Sequence, residues 1–256
     1  MNALIIGGSQ GVGYAIAEQL AKSCDAICIA SRNSNNLEKA RLKLLSINKR
    51  IIALQGDVAD VNFVQSVRFH LEKNNFPSID ILVCNAGGPP QKHVLEASSE
   101  DWDRAIQVNL LGQIRLVREF IPEMAERKFG RIIFISSTIA REPSSSMVLS
   151  ATTRAGISAF AKSISTQFAS SNVTVNSILL GGVLTHRLES LIQTSAQSQE
   201  TSFTDMKAKF LSNIPVGRFA EPSEISRVVT FLVSADSGYI TGQSIAIDGG
   251  LLKGYF

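Results

Sequence analysis

Three side chains near the middle of the chain have types and spacing that can act on a polar bond: Ser137, Ser150 and Arg154. Ser137 closes the apolar run Arg131-Ile132-Ile133-Phe134-Ile135-Ser136, where a buried strand would end. Ser150-Ala151-Thr152-Thr153-Arg154 leads into Ala155-Gly156 with a helix-like sequence. A serine hydroxyl donates or accepts a hydrogen bond, and a guanidinium is a lasting cation with several donors. Together they can polarise a carbonyl and place positive potential at a developing alkoxide. They make a poor proton relay, because neither group titrates near neutral pH.

Two imidazoles are candidates for that missing part. His93 follows Gly88-Pro89-Pro90-Gln91-Lys92, and His186 stands beside Arg187. Each has the right unperturbed acidity, although lone histidines in polar loops are usually just solvated. Arg141-Glu142, after Ser137, fits an acidic substrate or a solvated pair; Tyr14, Tyr255 and Trp102 read as packing residues.

A second group of residues has the chemistry of a phosphate cradle. Gly7-Gly8-Ser9-Gln10-Gly11-Val12-Gly13 follows an apolar strand and opens a helix, so backbone N–H groups and the positive helix end can approach a pyrophosphate. At the end of the next strand stand Ser31 and Arg32, where a carboxylate would accept hydrogen bonds from the ribose of NAD. A guanidinium there suits a 2′-phosphate through charge-assisted bonds, which favours NADP(H) over NAD(H). Asp57-Val58 and Asn85-Ala86-Gly87-Gly88 fall at further strand ends, on the edge where open α/β sheets bind ligands.

The elements that must position these residues alternate short β-branched runs with longer amphipathic stretches. Strands are expected over 3–6, 26–30, 51–54, 79–84, 132–135, 173–179 and 244–247. Val12, Ile16 and Leu20 form one helical stripe, and Val108, Leu111, Val117, Phe120 and Ile121 another. The expected fold is α/β, one doubly wound domain over residues 1–256 with a seven-stranded parallel sheet. The polar stretch 185–213, with Gln193-Thr194-Ser195-Ala196-Gln197-Ser198-Gln199, is expected to be a loosely patterned lid.

Composition excludes several classes. Of 256 residues 45% are hydrophobic and 18% charged, which gives a globular chain with enough apolar surface to cover a sheet. The net charge of +3 is spread out, so nucleic-acid and membrane partners are not expected. Cys24, Cys28 and Cys84 lie in or beside apolar strands without metal-like spacing and read as buried thiols of a cytoplasmic protein. The first residues read as a strand rather than a signal peptide, and no metal site is expected.

In order along the chain come Gly-x-x-x-Gly-x-Gly, Asp57-Val58, Asn85-Ala86-Gly87, Val108-Asn109, Ile135-Ser136-Ser137, Val175-Asn176, Gly217-Arg218-Phe219-x-Glu221-Pro222 and Tyr239-Ile240-Thr241-Gly242-Gln243 with Asp248-Gly249-Gly250. This resembles the short-chain dehydrogenase/reductase family, in its 3-oxoacyl-acyl-carrier-protein reductase branch, along essentially the whole chain. The resemblance implies a Rossmann fold, an oxidoreductase acting on a carbonyl or alcohol of a small molecule or acyl thioester, and homodimers or homotetramers built on the helices carrying Asn109 and Arg154 and on the last strand. It also implies cofactor contacts from Gly7, Ser9, Gln10, Gly11, Val12, Gly13, Ser31, Arg32, Asp57, Val58, Asn85, Ala86, Gly87, Arg154, Gly182, Val183 and Thr185. Catalysis would fall to Asn109, Ser137, Ser150 and Arg154.

The chain departs from the family pattern at the catalytic centre. Ser150 and Arg154 stand where the family has the tyrosine and lysine of Tyr-x-x-x-Lys, as in members described as reductase-like. Ile6 replaces a threonine, and Leu180-Gly181-Gly182 replaces Pro-Gly. Halohydrin dehalogenases share the arginine but keep the tyrosine and fill the nicotinamide pocket, whereas the glycine turn here is intact. Three readings stay open: an NADP(H)-dependent reductase with weakened or altered catalysis, a noncatalytic cofactor-binding scaffold, and a nonredox enzyme that polarises a carbonyl.

Overall fold

Alternation along the first strand decides the layers. On β1 (Asn2–Ile6), Ala3 and Ile5 enter one apolar cluster while Leu4 and Ile6 enter another, as the two-residue period of a strand requires. A strand that is apolar on both faces must be covered on both, which favours a parallel sheet between helical layers. Each isoleucine so buried contributes about 1.5–3 kcal/mol relative to exposure.

The computed structural model describes residues 1–254; the packing expectation for Tyr255 lies outside the described residues. All seven expected strands form: β1, β2 (Ala26–Ser31), β3 (Ile51–Gln55), β4 (Ile81–Cys84), β5 (Gly130–Ser137), β6 (Val173–Leu180) and β7 (Ser244–Ile247). Every pairing is parallel, in the order β3-β2-β1-β4-β5-β6-β7. β4 starts later than expected, and Asp80 just before it turns its carboxylate to the backbone N–H of Asn2 at 2.9 Å. β5 runs further than expected, and its last residue, Ser137, pairs with Leu180 at the end of β6.

The helices are α1 (Gly11–Leu20), α2 (Ser34–Leu45), α3 (Phe63–Lys73), α4 (Ser99–Ile106), α5 (Gly112–Glu126), α6 (Val148–Phe168), α7 (His186–Ser198), α8 (Phe203–Ser212) and α9 (Pro222–Val233). Apolar stripes of α1, α2 and α9 cover one face of the sheet, and those of α3, α5 and α6 the other. From β1 the chain moves outward through β2 and β3, then returns to place β4 on the other side of β1. At that reversal the loops after β1 and β4 part, and a crevice opens beyond the strand carboxyl ends.

The stretch 185–213 is a correction to the sequence reading, because it forms α7 and α8 rather than a loosely patterned segment. Thr185 and Ser202 cap the two helices through side-chain oxygens. Leu188, Ile192 and Ala196 recur at helical spacing and pack with Met206, Ile214 and Phe219 in a small apolar cluster of their own. Gln193, Thr194 and Gln197 occupy the exposed side of α7, which is why the segment reads as polar.

Two buried features tie the layers together. Arg131 on β5 is 1% exposed and donates to the carbonyls of Ser234, Gly130 and Asn172 at 3.3, 2.9 and 3.0 Å. Its guanidinium also lies over the Phe129 ring, 4.4 Å from the centroid. Cys24, Cys28 and Cys84 are free and buried, as expected; burial pushes the Cys24 thiol up to about 11 and Cys28 to about 12, with Cys84 also raised.

Candidate active site

The crevice at the strand carboxyl ends is a cleft of about 360 Å³, in the size range of small-molecule and cofactor sites. Its wall includes Gly7, Ser9, Gln10, Gly11 and Val12 from the first turn, and Ser31 and Arg32 from the end of β2. Asp57, Val58, Asn85, Ala86 and Gly87 follow from the next two loops, with Ser137, Ser150, Arg154, Val183 and Thr185 toward the other end. Three expected residues do not reach the wall. Gly13 packs under the turn, where a Cβ would lie 2.1 Å from the Gly7 carbonyl oxygen. Gly182 is pressed by the Phe219 ring, and Asn109 is buried behind the surface.

The start of α1 is built to leave its N–H groups free. Gln10, at the cap position, makes no side-chain cap bond, whereas Asn33, Ser98, Thr185 and Ser202 cap α2, α4, α7 and α8. The first N–H groups of a helix have no partner within it, and this end carries the positive pole. Gly7 stands at φ +68°, and a Cβ there would strike the Asn85 carbonyl at 2.2 Å, so the turn closes tightly on the β4 loop. The Asn85 amide donates to the Gly7 carbonyl at 3.2 Å and fixes that contact. Gly7 and Gly13 thus serve close packing, and Gly11 lies on the open cleft.

At the β2 end of the cleft, the Ser9 and Ser31 hydroxyls share a hydrogen bond of 2.8 Å. Arg32 is exposed, and no carboxylate pairs with it among the described residues. Asp57 accepts from the Ala59 N–H at 3.0 Å and pairs with Arg104 at 2.5 Å. Burial alone would raise the Asp57 carboxyl, but the Ala59 N–H and Arg104 outweigh it and hold the group below its ordinary value.

The other end of the cleft gathers Ser137, Ser150 and Arg154. The length of β5 carries Ser137 to the rim, where its Oγ accepts from the Ile139 N–H at 3.4 Å and caps the short helical turn Thr138–Ala140. Helix α6 places Ser150 and Arg154 on one face. The Arg154 Nε donates to the Ser150 Oγ at 3.2 Å, and one terminal nitrogen donates to the Ile135 carbonyl at 3.1 Å. Neither serine hydroxyl has its own hydrogen committed to an acceptor among the described residues. Burial, then the nearby Arg187 charge, lower the Arg154 guanidinium to about 10, so it stays a cation at neutral pH.

Asn109 lies on the π-helical turn Gln107–Leu111 between α4 and α5. Its side-chain amide donates to the Gly87 carbonyl at 2.8 Å, and its backbone carbonyl accepts from the Gln113 side-chain amide at 2.9 Å. Gln113, 3% exposed, escapes notice in the sequence because it matters only through this turn.

Arg187 is the other residue that the sequence reading passed over, although it lines the cleft beside Thr185. It donates to the Pro89 carbonyl at 2.6 Å. A cation following the strand-six loop, in the first turn of a capped helix, was the available signal. His186 also reaches the cleft but is largely solvated, with Glu189 at 3.7 Å. His93 is exposed and off the wall. Arg141 and Glu142 bind the Ser244 carbonyl and the N–H groups of Lys253 and Gly254, which makes them structural. The Tyr14 hydroxyl bonds Glu18 at 3.0 Å; burial, then that contact, push it up to about 12. Among the described residues no cluster of potential metal ligands is present, and no helix is long and apolar enough to cross a membrane.

Comparison with known proteins agrees with this architecture. The family described as enoyl-(acyl carrier protein) reductase matches residues 7–252. The chain is 33% identical over 251 residues to the 3-oxoacyl-[acyl-carrier-protein] reductase FabG of Haemophilus influenzae, covering 97% of each protein. It is 34% identical to the oxidoreductase UcpA of Salmonella typhimurium, covering 97% of this chain and 93% of that one. Among solved structures, YwfH, an NADPH-dependent reductase involved in bacilysin biosynthesis, superposes with a TM-score of 0.92 at 28% identity, covering 99% and 98% of the two chains. The L-sorbose reductase of Gluconobacter frateurii, complexed with NADPH and L-sorbose, gives 0.91 at 29% identity, covering 99% and 97%.

Proposed function

The chain belongs to the short-chain dehydrogenase/reductase family, and on that premise we propose that its cleft binds NADP(H) in preference to NAD(H) and accepts a carbonyl or alcohol substrate, with proton transfer weakened or altered. The observation that carries this reading is the uncapped start of α1, which opens into the same cleft as Ser137, Ser150 and Arg154. Free N–H groups at a positive helix end fit a pyrophosphate. Arg32, exposed and without a carboxylate partner, fits a 2′-phosphate, and the NADPH-dependent relatives support that choice.

In this proposal Ser9, Gln10, Gly11 and Val12 hold the pyrophosphate, Ser31 and Arg32 the ribose phosphate, and Asp57, Val58 and Asn85 to Gly87 the adenosine. Val183, Thr185 and Arg154 face the nicotinamide end. The cofactor supplies or accepts the hydride when bound. Ser137 and Ser150 then direct their uncommitted hydroxyl hydrogens to the substrate oxygen, and Arg154 adds positive potential through its bond to Ser150. This stabilises charge on the oxygen without a matched acid, a part worth about 10²–10⁴-fold elsewhere. The α7–α8 pair is the proposed lid. The proposal includes one domain across residues 1–256, a homodimer or homotetramer and a cytoplasmic setting, supported by the partly exposed β7 and the buried free thiols.

A noncatalytic scaffold is favoured by one specific feature. The Asn109 side-chain nitrogen is committed to Gly87, and its backbone carbonyl accepts from Gln113, which leaves this residue less free to order a water beside Ser150. Fluorescence titration with NADPH and NADH, followed by single-turnover assays on a panel of carbonyl compounds, separates the readings. NADPH binding with measurable oxidation supports the reductase, and binding without oxidation across the panel supports the scaffold. No binding of either nucleotide overturns both.

A further inference from the structure

Two guanidinium groups converge at the catalytic end of the cleft, with no carboxylate among the described residues to balance them. Built on Gly88, a Cβ would lie 3.2 Å from one terminal nitrogen of Arg187 and 3.6 Å from a terminal nitrogen of Arg154. Neither arginine forms an ion pair among the described residues. Among the described residues the one carboxylate on the cleft wall is Asp57, at the opposite end and paired with Arg104. Arg154 spends its Nε on Ser150 and one terminal nitrogen on Ile135, and Arg187 spends one on Pro89. That leaves N–H donors on both groups for something else.

This arrangement is costly unless an anion completes it. Like charges brought together away from water repel and lose hydration, and burial lowers the pKa of each guanidinium, with Arg187 adding to the effect on Arg154. Arg187 also stands in the first turn of α7, where the helix pole favours negative charge over positive. Gly88 lets the two side chains meet over the loop, and forked donors match the two oxygens of a carboxylate.

We propose that Arg154 and Arg187 form an oxyanion-binding subsite that holds the carboxylate of a small oxo acid, or of the matching hydroxy acid, beside Ser150. The proposal rests on the reading of the cleft as a cofactor and carbonyl site, and it makes the substrate a free acid rather than a neutral thioester. The alternative source of negative charge is the cofactor's pyrophosphate. Position argues for the substrate: the neighbours of the glycine turn are Asn85, Ile29 and Thr185, with a Cβ on Gly11 3.2 Å from the Thr185 methyl, while Arg187 stands with Arg154 at Gly88 and donates to Pro89.

The test is calorimetric titration of NADP⁺-saturated protein with acetoacetate and with acetoacetamide, its neutral counterpart of similar shape. Acetoacetate should bind about tenfold or more tightly. Arg187→Gln should erase that preference and leave NADP⁺ affinity within about twofold, and Arg187→Lys should keep part of the preference. Equal binding of the two probes to the wild-type protein overturns the subsite without any variant. A loss of NADP⁺ affinity in Arg187→Gln with the acetoacetate preference intact assigns the arginine to the cofactor and also overturns it. If NADP⁺ fails to bind, the cofactor reading falls. The same titration without cofactor then decides the arginine pair: a persisting acetoacetate preference supports it, and none removes it.

Discussion

The Arg154 Nε donates to the Ser150 Oγ across one turn of α6, at 3.2 Å. The two residues that the sequence resemblance sets at the positions of the family's catalytic pair are therefore engaged with each other. The bond draws electron density from the hydroxyl oxygen and leaves the hydroxyl hydrogen free, which makes Ser150 a better donor without making it an acid that releases its proton at neutral pH.

Carbonyl reduction should be slow as a result. Turnover of acetoacetate and of an acetoacetyl thioester with NADPH is expected below about 1 s⁻¹ for both, the lower edge of ordinary enzyme rates. Stopped-flow absorbance at saturating NADPH reads this directly, and rates of tens per second would reveal a proton donor other than Ser150.

Residual activity should be flat between about pH 6 and 9, because the hydroxyls and guanidinium of this site do not titrate there. Arg154 is lowered to about 10 in the fold, so its cation is present below that pH and lost above it. Activity should decline as pH rises through that value. A limb near neutrality that disappears in His186→Gln would place the imidazole in the mechanism instead.

Cofactor choice should depend on Arg32. Arg32→Ala is expected to weaken NADPH about tenfold or more, the value of one charge-assisted hydrogen bond, and to change NADH by less than about twofold. Parallel fluorescence titrations with both nucleotides provide the comparison. Equal losses would remove the 2′-phosphate contact.

Restoring the family pair should restore part of the chemistry. Ser150→Tyr with Arg154→Lys is expected to raise NADPH-dependent reduction of a 3-oxoacyl thioester, and each change alone to do little, since the phenol needs the ammonium to shift its acidity. Ser150 is 3% exposed, so the ring must find room and the gain will be modest. A folded, NADPH-binding double variant that reduces nothing would move the lesion to Leu180-Gly181-Gly182 or to Asn109 and Gln113.

Stability should be sensitive to Arg131. Arg131→Met keeps much of the bulk but strips hydrogen bonds from the carbonyls of Gly130, Asn172 and Ser234. Those acceptors sit in or beside buried structure, and a loss of about 2–4 kcal/mol is expected from urea unfolding. A change under about 0.5 kcal/mol would mean that water satisfies them.

The strands and the glycine turn were legible because their signals are local: β-branched runs bounded by polar residues, and glycines at fixed offsets. Ser137, Ser150 and Arg154 could be placed together through the family resemblance, and β5 and α6 deliver them to one cleft. The α7–α8 pair was not legible, since a run of glutamine and serine hides the Leu188, Ile192 and Ala196 stripe. Gln113 and Arg187 were missed for a different reason. Their importance lies in contacts with Asn109 and with the Gly88 loop, which no spacing along the chain encodes.

The separate apolar cluster formed by Leu188, Ile192, Ala196, Met206, Ile214 and Phe219 has a thermodynamic consequence. A segment that buries its side chains largely among themselves can open while the two sheet-facing clusters stay intact, so its opening free energy lies below that of global unfolding. Amide hydrogen exchange should divide the molecule accordingly, with α7 and α8 exchanging together as one cooperative unit and β1, β4 and β5 exchanging last. Anything held between the sheet edge and this unit would slow its exchange by mass action, so a bound ligand would be registered in the amides of α7 and α8 before any change reached the central strands.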